Sequence, residues 1–489
     1  MLAFIFSFVS IFFQDADSTA RPAVNLFADT LQNQVLKIKK DTNARFVEIN
    51  RIFIIGNRIT RDQIINRELS LKPGDIVFTG DLPGILDLDR KKLINLRLFN
   101  KVEIRILELD KKKIDLLVDV SERWYTFPTP VFELSDRNFN EWWQNYNHSW
   151  RRVYYGMRLY QYNMRGRNET VRLVAQLGFA RKFEISYRIP YIDKKQKQGL
   201  TFEVTYQETK NLGFKTENHK YQFISSSGIL RQDRVASVIY SYRKSFYQTH
   251  AAKLEYRYMN VADTIRTLNS NYLRAETQPS SQRYTTFVYQ FTSDHRDFFA
   301  YPLKGYQFIA SIAKLGFGNI EDVNKFDINV SYSKFFDLKR KFYLSNNVIG
   351  YWSTPQNLAY TNYGVLGLRK QFVRGYEVYV IEGPYFAVNK MTFKKLLFSK
   401  ITRWEAMPLE QFRHIPISIY FKTYADVGYV RNYSDYREAG RNTLLSDKLL
   451  SGAGFGFDVI GSYDLVLRFE YSWNSIGQRG FFFHIKREF

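Results

Sequence analysis

From Thr126 to the end of the chain, apolar and polar residues alternate one by one through segments of about 8 to 12 residues, each closed by turn residues. Leu200, Phe202, Val204 and Tyr206 lie on one side of such a segment and Thr201, Glu203, Thr205 and Gln207 on the other. In the same way Phe326, Ile328, Val330 and Tyr332 oppose Asp327, Asn329, Ser331 and Ser333, and Leu465, Leu467, Phe469 and Tyr471 oppose Val466, Arg468, Glu470 and Ser472. Period two is the period of a strand whose two faces meet different surroundings. A soluble sandwich with this many strands would need more than one core, whereas a membrane barrel uses one such segment per crossing. At roughly 10 residues per strand plus turns, the 364 residues from Thr126 to Phe489 hold about 16 strands. Such a sheet is expected to close, because a free edge in hydrocarbon leaves a row of backbone donors and acceptors unpartnered at several kcal/mol each.

Composition agrees with two cancelling faces. Aromatics are 17% of residues, with 42 Phe and 35 Tyr, yet mean hydropathy is −0.36. No apolar run beyond the N-terminus approaches the roughly 20 residues of a helical span. The absence of cysteine excludes disulfides, thiolate metal sites and cysteine nucleophiles. A net charge of +23 suits either nucleic acid or an anionic membrane surface. The basic residues are scattered through strand-like segments and no nucleic-acid motif is present, which favours the membrane. There is no Gly-x-Ser-x-Gly elbow, His-Glu-x-x-His or Walker loop, and the six histidines lack metal-ligand spacing. The sequence therefore nominates no enzyme, metal or cofactor.

Before Thr126 the pattern changes. Leu2 to Phe13 are almost wholly apolar, and Gln14, Asp15 and Asp17 end the run before Ser18-Thr19-Ala20, so residues 1–20 read as a secretory signal peptide. The usual basic residue ahead of the run is missing, which leaves a plain buried segment as the other reading. Residues 21–45 read as a linker or short helix. Val47 to Ile54 predicts a strand ending at Gly56-Asn57, and Thr60 an N-cap for a helix with Ile64, Ile65 and Leu69 on one face. A break at Lys72-Pro73-Gly74-Asp75 precedes a second helix over 87–98 and strands over 102–109 and 114–120. The order is β-α-α-β-β, one compact domain over 46–123, with residues 124–489 left for the sheet.

The stretches GNRITRDQIINRELSLKPGDIV, LINLRLFNKVEIRI and IDLLVDVSER resemble a POTRA domain, the periplasmic module of the outer-membrane assembly barrel superfamily (BamA/TamA-like). Further on, YQYNMRGRNETVRLVAQLGF and YRIPYID resemble that superfamily's early barrel strands. DHRDFFAYPLKGYQF resembles its Asp-x-Arg and Pro-x-x-Gly strand, here Asp294, Arg296, Pro302 and Gly305. The resemblance implies an α+β periplasmic POTRA domain followed by an antiparallel transmembrane β-barrel in a bacterial outer membrane. It also implies client outer-membrane or secreted polypeptides as partners, with outer-membrane lipids and accessory lipoproteins beside them, and neither cofactor nor nucleic acid.

Within Gln371 to Tyr385 the segment Val373-Arg374-Gly375-Tyr376 pairs an arginine with a glycine able to make a tight turn. On the residues alone a surface hairpin tip is the plainer reading. The segment also fits the superfamily's Val/Ile-Arg-Gly-Phe/Tyr motif, which implies a sixth extracellular loop folded into the lumen with Arg374 facing carboxylates. YADVGYV resembles the Asp-x-Gly strand and makes Asp426 the expected partner, followed by Gly428. Where many relatives carry a second carboxylate this chain has Thr392, which cannot neutralise a guanidinium; either Asp426 acts alone or Glu377 or Glu382 substitutes.

At the C-terminus Gln478, Gly480, Phe483, Ile485 and Phe489 resemble the last-strand signal of outer-membrane barrels, interrupted by Arg487, and Phe481, Phe483 and Ile485 form one lipid-facing row. The first barrel strand, Thr126 to Asp136, contains Pro128 and Pro130. They either weaken the seam with the last strand, so that it opens sideways to an incoming strand, or simply begin the strand. The expected function is insertion or translocation of β-barrel or surface proteins at the outer membrane. A translocator of the same superfamily, secreting polypeptide or lipid, and a passive porin are the alternatives. A chain-binding module with an open strand edge argues against the porin.

Overall fold

The structure is a computed structural model and describes residues 46–487 except 110–111, 135–141, 144–146, 274–279, 318–320, 356, 368–370, 404–413 and 462–464. The expected signal peptide, the segment 21–45 and Phe489 lie outside the described residues.

The N-terminal domain runs β1 (Phe46–Ile55), α1 (Asp62–Asn66), β2 (Ile76–Phe78), α2 (Leu82–Asn95), β3 (Phe99–Glu108) and β4 (Lys113–Glu122). Its sheet has the order β2-β1-β4-β3, with β1 parallel to β4 and the other pairs antiparallel. Ile64, Ile65 and Leu69 are buried in one core with Leu93, Val118 and Val120. Several details differ from the sequence reading. Helix α1 ends at Asn66, so Leu69 reaches the core from beyond the helix, and β3 starts at Phe99, ahead of the expected 102. Strand β2 was not expected, because three residues are too few for alternation to register. Helix α2 starts at Leu82, ahead of the expected 87, with Pro83 in its first turn, where a missing N–H leaves no bond unmade. Thr60 caps nothing: its hydroxyl lies 2.6 Å from Glu122 Oε1 and 3.1 Å from the Tyr125 hydroxyl, and Arg61 occupies the capping position.

The rest of the chain continues with β5 (Thr126–Leu134), β6 (Val153–Met164), β7 (Glu169–Gly178), β8 (Ala180–Ile189), β9 (Gln198–Thr209), β10 (Asn211–Glu217), β11 (Lys220–Ser225), β12 (Arg231–Arg243), β13 (Gln248–Val261) and β14 (Ser281–Asp294). Then come β15 (Gly305–Leu315), β16 (Lys325–Asp337), β17 (Phe342–Thr354), β18 (Val365–Leu366), β19 (Ile381–Glu382), β20 (Tyr385–Arg403), β21 (His414–Arg431), β22 (Leu449–Ile460), β23 (Leu465–Asn474) and β24 (Arg479–Arg487). The pairs β10-β11 and β18-β19 are small separate hairpins; the others form one sixteen-stranded sheet in sequence order, the number that the alternation predicts. Every neighbouring pair in it is antiparallel. Since β5 leaves the POTRA domain, the β6-β7, β8-β9, β12-β13 and β14-β15 turns lie at the POTRA end, and the β9-β12, β17-β20 and β21-β22 loops at the far end.

Burial is inverted relative to a soluble protein. Phe202, Val204, Val330 and Tyr332 are exposed, whereas Thr201, Glu203, Thr205, Asp327 and Asn329 are buried. Apolar side chains point out and polar ones in, the arrangement that hydrocarbon outside and a polar bore inside would select. Among the described residues no helix is long and apolar enough to cross a membrane.

The sheet ends on β5 and β24, and among the described residues no ladder joins them, although closure is what the sequence predicts. Strand β5 pairs with β6 along its whole described length, Pro128 opposite Leu159 and Pro130 opposite Met157. Prolines two residues apart lose donors on the same side of a strand, and the unbroken ladder to β6 leaves the outer edge as that side. The edge that β5 turns towards β24 is therefore short of two N–H groups.

Candidate functional site

The β17-β20 loop leaves the far end and turns back onto the inner face of β20 to β23. Val373 enters first and is 1% exposed, seated where glycines remove the side chains that would block it. A Cβ on Gly428 would stand 2.6 Å from Val373 Cγ2, and one on Gly452 would stand 1.8 Å from the Arg374 carbonyl oxygen. Gly375 has φ +91, a conformation closed to most other residues, so the chain can reverse there. Three contacts then pin the reversal. The Gly375 N–H donates to Glu377 Oε2 at 2.7 Å, Asn474 Nδ2 donates to the Gly375 carbonyl at 2.6 Å, and the Tyr376 hydroxyl meets Ser475 Oγ at 2.7 Å.

The turn aims the Arg374 side chain along the inner wall. Its Nε donates to Asp426 Oδ2 at 2.8 Å and its Nη2 to Asp426 Oδ1 at 2.5 Å, while the Arg374 backbone N–H adds a third bond to Oδ2 at 3.0 Å. Two parallel bonds from one guanidinium fork to one carboxylate fix direction as well as charge. The guanidinium carbon also sits 3.9 Å from the centre of the Tyr424 ring. The second carboxylate is none of those proposed from the sequence. Glu377 is used by the Gly375 N–H, and Glu382 accepts from Thr216 Oγ1 at 2.7 Å and the Tyr436 hydroxyl at 2.9 Å, away from Arg374. At the Thr392 position it is the neighbouring backbone that contributes, Arg374 Nη2 donating to the Met391 carbonyl at 3.3 Å. The nearby acid is Glu470 on β23, 3.9 Å from Arg374 Nη1 and 2.8 Å from Lys422 Nζ. Lys422 in turn lies 2.5 Å from Asp458, so the arginine belongs to a network of alternating charge across β21, β22 and β23.

Above this network the far-end loops form a packed cap. The β10-β11 hairpin, residues 358–363 and residues 433–436 share an apolar core that includes Phe214, Tyr360, Tyr363 and Tyr433. His219 at the hairpin tip accepts the Leu445 N–H on Nε2 at 2.9 Å, and burial lowers its pKa to about 4. Burial pushes Glu382 the other way, to about 7, against the hydrogen bonds from Thr216 and Tyr436.

Two further sequence-predicted groups lie apart from Arg374. Asp294 ends β14 and takes a fork from Arg296, Nε at 2.9 Å and Nη2 at 2.7 Å, within the turn that holds buried Pro302. That turn closes on Gly305, φ +98, where a Cβ would stand 2.0 Å from the His295 carbonyl oxygen. Gln478 sits in the turn before β24 and reaches the loop: its Nε2 donates to the Tyr379 hydroxyl at 2.6 Å. Gly480 lies on β24, Phe481 and Phe483 face outward from it, and Ile485 stands opposite Leu467.

Residues 47–123 match the POTRA family, described as surface antigen variable number repeat. No curated protein matches the chain. Among solved structures, BamA from Haemophilus ducreyi lacking POTRA domains 1-3 is similar with a TM-score of 0.54 at 13% identity, over 89% of this chain and 84% of that one. CdiB from Escherichia coli is similar with a TM-score of 0.53 at 10% identity, over 97% of this chain and 96% of that one. At these identities the likeness is one of fold: a POTRA domain followed by a sixteen-stranded barrel of the BamA and CdiB kind.

Proposed function

We propose that this chain, which has the fold of the outer-membrane assembly and translocation barrels, spans a bacterial outer membrane and inserts or translocates other polypeptides there. Its POTRA domain lies on the periplasmic side. The observation that carries the reading is the edge of β5, which lacks two donors and shares no ladder with β24 among the described residues. A seam so weakened opens sideways at low cost, and an incoming strand then pairs with the exposed edge by β-augmentation. Strand β3 forms one edge of the POTRA sheet and offers clients a second place to pair before they reach the seam. Arg374 holds the lumen loop against Asp426, so the wall keeps its shape while the seam works.

The chain lacks cysteine, so a single pair can be introduced, one residue on β5 and one on β24. Oxidising the pair is expected to abolish client insertion in proteoliposomes and reduction to restore it; undiminished activity in the locked protein would overturn the lateral route. A superfamily translocator that secretes polypeptide or lipid fits the same fold. Depletion followed by an outer-membrane proteome separates the two, since an assembly factor lowers many barrel proteins together and a translocator only its own cargo.

A further inference from the structure

The β14-β15 turn does not hang free at the POTRA end. Residues 295–304 fold into the bore, and Tyr301, only 2% exposed, packs with Tyr420, Ile460 and Val466 of β21, β22 and β23. Counting β16, β17, β20, β21 and β22, the strand it reaches stands five places round the sheet from β15. The Tyr301 hydroxyl donates to Asp458 Oδ2 at 2.8 Å, and Lys394 Nζ lies 4.1 Å from the centre of its ring. Asp297 stiffens the turn from within, its Oδ1 accepting the Phe298 and Leu303 N–H groups, each at 2.9 Å.

The same turn touches the POTRA domain. Phe299, two residues before Tyr301, carries the guanidinium of Arg97 from the end of α2 on its ring at 4.8 Å, with Arg296 also at 4.8 Å. Elsewhere the POTRA domain meets three other turns of that rim. The Arg61 N–H donates to the Gly166 carbonyl at 3.0 Å, Arg67 covers the Tyr191 ring at 3.9 Å, and Glu68 pairs with Arg243 at 3.0 Å. Only the β14-β15 turn, of these four, also reaches the network around Asp458.

We propose that residues 295–304 are a second plug of the bore, entering from the POTRA end, and a strap that ties the POTRA domain to the ionic network holding Arg374. The contacts form an unbroken series: Arg97 on Phe299, Tyr301 on Asp458, Asp458 with Lys422, Lys422 with Glu470, and Glu470 with Arg374. A swing of the POTRA domain draws on Phe299 and lifts Tyr301 from its seat, so the bore opens at one end only when the domain has moved. The strap needs no client to operate.

The test uses full-length protein in nanodiscs with spin labels at Lys91→Cys on α2 and Leu338→Cys on the β16-β17 turn, together with single-channel conductance. Phe299→Ala is expected to broaden the label distance distribution. Tyr301→Ala is expected to broaden it as well, although its seat lies in the barrel wall, and to raise conductance severalfold. Tyr301→Phe keeps the ring and the fold and loses only the hydroxyl bond; an intermediate rise in conductance is expected. Glu68→Ala removes one POTRA contact outside the strap. The other rim contacts, Arg97 on Phe299 and Tyr301 on Asp458 keep the domain and the turn in place, so conductance is expected to stay as in the parent. A folded Tyr301→Ala protein with parental distances and conductance would overturn the proposal, as would Glu68→Ala conducting as well as Tyr301→Ala.

Discussion

Replacing Arg374 with alanine is expected to destabilise the folded barrel by about 3–5 kcal/mol. Breaking a buried ion pair from one side costs about 3–5 kcal/mol, because the abandoned charge has lost its water without keeping its partner. Asp426 is 1% exposed and would keep only the backbone N–H of residue 374. Part of that cost is recovered, since Lys390 stands directly opposite Asp426 in the ladder and supplies some counter-charge. Losing the guanidinium over Tyr424 adds about 0.5–1 kcal/mol. The readout is the temperature at which the compact, heat-modifiable band disappears on a denaturing gel, measured with client insertion on the same preparations. Arg374→Lys keeps the charge but loses the fork and should fall between the two. The decisive variant pairs Arg374→Met with Asp426→Asn. With no charge left stranded, it should regain at least about 1 kcal/mol over Arg374→Met alone, as coupled sites do. An Arg374→Ala protein as heat-resistant as the parent, or a double variant whose loss is the sum of the singles, would refute the reasoning.

Gly452→Ala should mimic the loss of Arg374 with the arginine still present, because its Cβ would meet a backbone carbonyl at 1.8 Å; Gly428→Ala should be milder, since it meets the end of the Val373 side chain. Heat-modifiability of the two variants gives the comparison. Glu382, with a folded pKa of about 7 against 4.5 for a free glutamate, stabilises the cap fully below pH 4.5 and stops doing so as pH rises through 7. His219, lowered from 6.5 to about 4, contributes above pH 6.5 and loses that contribution as pH falls through 4. The two slopes oppose each other between pH 4.5 and 6.5 and leave Glu382 alone to act above that window, so protease access to the β10-β11 hairpin should rise from pH 6.5 to 8 in the parent and stay flat in Glu382→Gln. Thr60→Ala should cost about 1–2 kcal/mol of POTRA stability in chemical denaturation, because Glu122 loses a hydroxyl donor; a loss confined to α1 helicity would restore the capping reading.

Alternation revealed the sheet because every strand carries two different surroundings on its two faces, and that information is local. What a loop touches is not local. Arg374 and Gly375 by themselves suit a hairpin tip; only the neighbouring motif pointed inward. Glu470 was visible as a member of the row Val466, Arg468, Glu470 and Ser472, but a row tells which face a residue takes and not which loop arrives above it. Thr60 carried a sound capping signal that lost to Glu122, 62 residues away, because a carboxylate accepting from both the hydroxyl and the Thr60 N–H binds more strongly than one exposed helix N–H. The resemblance reads Asp294, Arg296, Pro302 and Gly305 as one strand, but only Asp294 and Gly305 lie on strands, at the end of β14 and the start of β15, and the residues between them form a turn. That the turn crosses to β22 depends on the curvature of the whole sheet, which no segment of the sequence encodes alone.

On the proposed function, the two inward turns bear on which route a client takes. A polypeptide passing along the bore would have to displace the loop that carries Arg374 and the turn that carries Tyr301, parting Arg374 from Asp426 and Tyr301 from Asp458. Parting Arg374 from Asp426 leaves both charges in the lumen without their fork, and nothing in an ordinary client strand restores the counter-charges. The seam makes no such demand. Its β5 edge already lacks the donors of Pro128 and Pro130, and an incoming strand supplies backbone partners for the groups that remain. Under the proposed function, the loop that carries Arg374 and the turn that carries Tyr301 therefore favour the sideways route twice, by standing in the axial one and by tying β21, β22 and β23 together while β5 and β24 part.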